Sequence, residues 1–300
     1  MVTPNSFVAM NTKFANVCVW LESLGVKICS TRISQYRKDI EELARHCEVG
    51  QAQALWDAKG FDYLVRSNME IAQLNNIYDA FKHHVSPGLV KRLKKLRKGS
   101  PSLVDEKSDQ AKNEPRNTAF ELEIAAGLSM SGYTVNLEDV CDIWIEGRNR
   151  PIALECKRPF SGGSVLSNVA KGFDQLRQRA AARPRTWGIL VLSVSRIEND
   201  GTLYMSAKDE HSMHCMNSQY MKTFIETHKG NWGRAATAET IAVLLHMVAP
   251  VRLETPDILL YSEEIALYQI AKRDSEAHSF IESFSRKFGG SPEIRMADAS

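Results

Sequence analysis

Four residues of this chain have the types, order and spacing for chemistry: Glu121, Asp142, Glu155 and Lys157. Glu155 and Lys157 stand two apart in the run Pro151–Lys157, which otherwise reads as a buried strand. A strand repeats every two residues, so both side chains point to one face, and Leu154 and Cys156 to the other. Charges at the end of such a strand are costly unless they form a polar site. Asp142 lies in a second apolar stretch, 140–145, separated from the first by a turn at 147–150. Pairing the two strands brings Asp142 and Glu155 within reach of one cation.

Mg2+ takes near-octahedral oxygen ligands and often uses only one or two protein carboxylates, with water and substrate phosphate completing its shell. Asp142 and Glu155 suit that demand, and the main-chain carbonyl of Cys156 offers a further ligand. The Cys156 side chain reads as a small buried hydrophobe. Lys157 cannot bind a metal as an ammonium, but it can hold an attacking water or offset charge growing on phosphorane oxygens. The bland reading is an ion pair at a strand end, which Glu155-Cys156-Lys157 taken alone favours.

The elements that must position these residues are α/β in pattern. A helix over 117–130 carries Glu121 and Glu123, which are two apart and do not share a face. The two apolar stretches follow, with a short strand beginning at 133–135. Next come a glycine-serine loop at 161–164, a helix over 165–182 and a buried strand over 187–194. Lys171 and Gln175 share a face of that helix, where Gln175 can hydrogen-bond the lysine, a bound water or a phosphate. A helix over 237–248, a strand over 257–261 and a helix over 275–288 complete the expected order.

Residues 5–98 read as helices throughout. The last, 86–100, opens on Ser86-Pro87 as cap and first-turn proline. It places six cations, Lys91, Arg92, Lys94, Lys95, Arg97 and Lys98, in eight residues. Such a face contacts phosphates, or is solvated while Leu89, Leu93 and Leu96 pack inward. The polar segment 99–114 reads as a linker. The expected division is a helical domain over 1–100, which binds substrate, forms a homodimer or receives a protein partner, and a catalytic domain over 113–290.

Across 300 residues, 38 Lys and Arg oppose 36 Asp and Glu, so any basic surface must come from local clustering. Six scattered cysteines without a CxxC pair, no secretory leader and no membrane-length apolar run lead to the expectation of a cytoplasmic protein with reduced thiols. His211, His214 and Cys215 supply zinc-ligand types at cramped spacing and read as an ordinary loop or helix. His228, Asn231 and Trp232 lie in a glycine-rich stretch, HKGNWGR, expected to be a packed turn. Arg177, Arg179, Arg183 and Arg185 form a second basic concentration near Glu155 and Lys157, or are solvated. No Walker A motif is present.

The ordered pattern FELEIAAGL, GYTV, DIWI and IALECKRP resembles the PD-(D/E)xK nuclease superfamily. The resemblance implies a restriction-endonuclease-like mixed sheet flanked by helices, here preceded by an all-helical domain. It assigns Glu121, on the helix before the core, and Asp142, Glu155 and Lys157 to the site, with Mg2+ as cofactor and Mn2+ as substitute. Glu121 is preferred to Glu123 because it follows an aromatic residue, and Gln175 matches the polar residue that related nucleases use from the next helix. Cys141 stands where the motif has proline. DNA is the implied substrate, in host defence or a mobile element. A ribonuclease, or a non-cleaving nucleic-acid-binding protein on the same scaffold, is the alternative.

Overall fold

Apolar residues at helical spacing build the first part of the chain. The computed structural model describes residues 4–101, 110–137, 141–147, 150–198, 205–255, 257–288 and 296–297. Helices α1 (Pro4–Ser23), α2 (Arg32–Glu48), α3 (Ala52–Lys59), α4 (Phe61–Phe81) and α5 (Pro87–Leu96) follow in order. Phe14 and Leu21 of α1, Ile33 and Ile40 of α2, and Ile71 and Ile77 of α4 are fully buried. Ser86 caps α5 by accepting the Leu89 N–H at 3.2 Å, with Pro87 in the first turn. The buried charges of this part are paired. Arg32 and Arg116 both bond Glu70, at 2.7 and 2.9 Å, and Asp39 accepts from Lys59 and Tyr63.

Helix α6 (Gln110–Met130) starts earlier than the sequence pattern predicts, and Pro115 lies inside it. Its first turns are anchored through side chains: Asn113 and Arg116 are buried, and Glu114 pairs with Lys95 at 2.9 Å. Of the expected linker, residues 102–109 lie outside the described residues. The chain forms two compact units, Met1–Ala126 with Asp257–Leu260, and Gly127–Pro256 with Tyr261–Ser300.

The second part is a mixed sheet of, among the described residues, eight strands: β1 (Val135–Asn136), β2 (Ile143–Glu146), β3 (Pro151–Lys157), β4 (Trp187–Ser193), β5 (Met205–Ala207), β6 (Thr240–Glu254), β7 (Asp257–Gln269) and β8 (Met296–Ala297). The order is β1-β2-β3-β4-β6-β7-β8, and β5 pairs with β6. Strands β2 and β3 are antiparallel. Their turn needs glycine at 147, because a Cβ there would lie 2.5 Å from the Arg150 carbonyl oxygen. Arg148, Asn149 and Val140 lie outside the described residues. Strand β3 pairs in parallel with β4, and β4 with β6. Parallel strands need a crossover connection, which α7 (Val165–Ala182) supplies between β3 and β4. Helices α8 (Ser195–Glu198), α9 (Glu210–Ala235) and α10 (Glu276–Phe288) complete the flanking layers.

One face of the sheet, including Trp144, Ala153, Leu190 and Val243, is buried under Val169 and Phe173 of α7 and Phe224 and Trp232 of α9. The architecture is thus an all-helical N-terminal domain followed by a mixed sheet flanked by helices. Two expectations fail. Residues 237–248, read as a helix, belong largely to β6, where an apolar run buried on both faces shows no helical or strand period. HKGNWGR is not a turn but the end of α9, because burying Trp232 against Tyr268 overrides the local glycines. Among the described residues no helix is long and apolar enough to cross a membrane.

Candidate functional site

The β2–β3 register sets the two carboxylates together. Ile143 pairs with Leu154, so one step further along the same register Asp142 faces Glu155. Asp142 precedes the first residue of β2, and its Oδ2 accepts the Cys156 N–H at 2.7 Å. Glu155 is fully buried, on the sheet face that α7 covers. Lys157 Nζ donates to the Cys156 carbonyl at 3.0 Å, and stands 3.5 Å from Glu155 Oε2 and 3.8 Å from Asp142 Oδ2. The ammonium thus sits among three oxygens, two of them from carboxyl groups.

Helix α7 contributes a residue that the sequence reading did not assign to this site. Arg179 Nε donates to Glu155 Oε1 at 3.1 Å. The signal was available: Arg179 falls four residues after Gln175 and eight after Lys171, so all three share one helical row. Gln175 Oε1 is buried and accepts no hydrogen bond among the described residues. The helix approaches closely at Gly172, where a Cβ would lie 2.4 Å from Leu190 Cδ1 and 3.5 Å from Lys157 Cγ. A side chain there would collide with Leu190 and touch the stem of the lysine.

Burial raises the Glu155 carboxyl, Asp142 beside it pushes the same way, and Lys157 and Arg179 oppose them, leaving it at about 7. Of the second basic concentration, Arg177 pairs with Asp174 at 2.8 Å, and Arg183 lies 5.1 Å from the Trp144 ring centre.

Glu121 and Glu123 belong to the helical unit and point to different neighbours. Glu121 lies 3.6 Å from Arg92 of α5, and Glu123 accepts from Gln73 of α4 at 2.8 Å. His211, His214 and Cys215 lie along α9, with Cys215 Sγ 3.6 Å from His211 Nε2. Among the described residues no group of three or more His, Cys, Asp or Glu side chains is arranged to hold a metal ion. The oxygen set at β3 is smaller: two carboxylates and one main-chain carbonyl.

No family model, curated protein or solved structure matches this chain.

Proposed function

We propose that this chain is a Mg2+-dependent nuclease of the PD-(D/E)xK kind that hydrolyses phosphodiester bonds in DNA. The observation that carries the reading is the convergence of Asp142, Glu155, the Cys156 carbonyl and Lys157 at the end of β3. Hard oxygen donors, two of them carboxylates, fit Mg2+ and accept Mn2+ as a substitute. Asp142, Glu155 and the Cys156 carbonyl would hold the ion, which when bound activates water and offsets charge at phosphorus.

The chain's own residues have separable roles in this reading. Arg179 and the Cys156 N–H each fix one carboxylate. Lys157, released from those oxygens, donates to a non-bridging phosphate oxygen as its charge grows. Gln175 offers an unused acceptor to a water or to the lysine. Glu121 joins as a further carboxylate on the resemblance alone.

A second reading is favoured by the same contacts. Two carboxylates balanced by Lys157 and Arg179 also make a structural charge cluster, as a non-cleaving nucleic-acid-binding protein would keep. Incubation with plasmid DNA, single-stranded DNA and RNA, in Mg2+, Mn2+ or EDTA, decides between them. The nuclease reading expects metal-dependent cleavage that Asp142→Ala and Lys157→Ala each abolish. Cleavage of RNA alone would make the chain a ribonuclease. No cleavage, or cleavage that neither substitution alters, sinks the proposed site.

A further inference from the structure

A second cluster of charge lies in the helical unit. The N-terminal end of α2 and the segment after α5 enclose a cleft of about 650 Å³, whose lining includes Arg32, Lys38, Arg97 and Lys98. Among the described residues lining it, none is acidic. Arg32 is committed to Glu70 and to the Leu96 carbonyl. Lys38, Arg97 and Lys98 have no acidic partner among the described residues. Other cations of the α5 run are engaged: Arg92 faces Glu121, and Lys95 faces Glu114. The polar wall is engaged too, since Ser34 donates to the Thr31 carbonyl and Gln35 to Asp39.

Three cations around an acid-free cleft repel one another, and an anion entering it relieves that repulsion. The N-terminus of α2 adds partial positive charge in the same place, with no acid in its first turn. The cationic row also continues beyond the cleft. Lys94 is exposed and lies one turn of α5 before Arg97. A row longer than the cleft suits a chain of phosphates better than one small anion. From this we infer that the cleft is a binding site for the phosphodiester backbone of a nucleic-acid strand, contacted by Lys38, Arg97 and Lys98. Phosphate contacts hold and orient a strand without reading its bases.

The test is fluorescence anisotropy of the full chain with labelled single- and double-stranded DNA oligonucleotides, across a salt series in EDTA. The variant Lys38→Gln/Arg97→Gln/Lys98→Gln is set against Lys208→Gln/Lys222→Gln/Lys272→Gln, which removes equal charge from exposed positions elsewhere. The cleft variant is expected to bind roughly tenfold or more weakly than the control, with a salt slope shallower by about two to three. Circular dichroism and thermal melting check its folding, and the three single variants each carry part of the loss if the triple does not fold. Binding by the cleft variant equal to that of the control overturns the site. So does competition at the cleft by inorganic pyrophosphate in a protein that binds neither DNA form. Because EDTA withholds the cation, this outcome is read without cleavage, and a protein that binds DNA here but cuts nothing loses only the nuclease reading.

Discussion

Arg179 reaches Glu155 from the last turns of α7, with Nε 3.1 Å from the Oε1 of a carboxylate that has no solvent exposure. That contact is what a hydrogen-bonded arginine does for a buried acid: it offsets the cost of burying the charge. Arg179→Met keeps the stem and removes the guanidinium. Because Lys157 still faces Glu155, the expected loss is about 1–3 kcal/mol rather than the full penalty of an orphaned buried charge. Urea denaturation at pH 8 in EDTA measures it, and an unchanged midpoint would refute the role.

Glu155 also makes stability depend on pH. Its carboxyl rises from 4.5 to about 7 on folding, so the folded protein holds the proton more tightly than the unfolded chain. Its favourable contribution is complete below about pH 4.5 and is lost as pH rises through about 7. Glu155→Gln removes this dependence. Relative to wild type in EDTA, the variant should gain stability from pH 5 to pH 8; a constant difference across that range contradicts the assignment.

A bound cation should add stability by mass action. At a hundredfold excess over Kd, a ligand specific for the folded state contributes about 2.7 kcal/mol. Thermal melting with Mg2+ and Mn2+ should therefore show a concentration-dependent rise in Tm. Asp142→Asn, which keeps an acceptor for the Cys156 N–H, should lose it. An equal rise in both proteins would place cation binding elsewhere.

Two glycines should respond in opposite senses to alanine. At Gly172 the added methyl meets fully buried Leu190, and overpacking of this kind costs about 1–3 kcal/mol. At Gly230, inside α9, nothing lies within 4 Å, so Gly230→Ala should stabilise by about 0.5–1 kcal/mol through helix propensity. Denaturation midpoints moving in the same direction would count against this packing.

Thiol labelling gives a further check. Cys29 and Cys215 are exposed, whereas Cys18, Cys141 and Cys156 are buried, and burial pushes the Cys18 thiol up to about 11. Native protein should therefore show two fast-reacting thiols, half-buried Cys47 reacting more slowly, and the buried three reacting only on unfolding.

Local patterns made much of this architecture legible before any coordinates. Ser86-Pro87 marked the start of α5, and both β3 and α7 have the bounds that their apolar spacing predicts. What failed depended on distant partners. The run in β6 carries leucine, alanine and methionine, all good helix formers, and only pairing with distant strands, β4 among them, makes it a strand. At the site, hairpin logic brought Asp142 to Glu155, and the helical row of Lys171 and Gln175 included Arg179, but which strand residue Arg179 meets is set by the parallel crossover rather than by any local pattern.

The hairpin and the crossover also differ in when they can form. Strands β2 and β3 adjoin in sequence, so closing them costs little chain entropy, whereas Arg179 reaches Glu155 only once α7 has returned the chain to the sheet. A nascent chain that follows this order meets its two carboxylates early, with Lys157 alone to moderate their repulsion. The charged end of β3 is then the late-setting part of its own hairpin, and docking of α7 is the event that locks it.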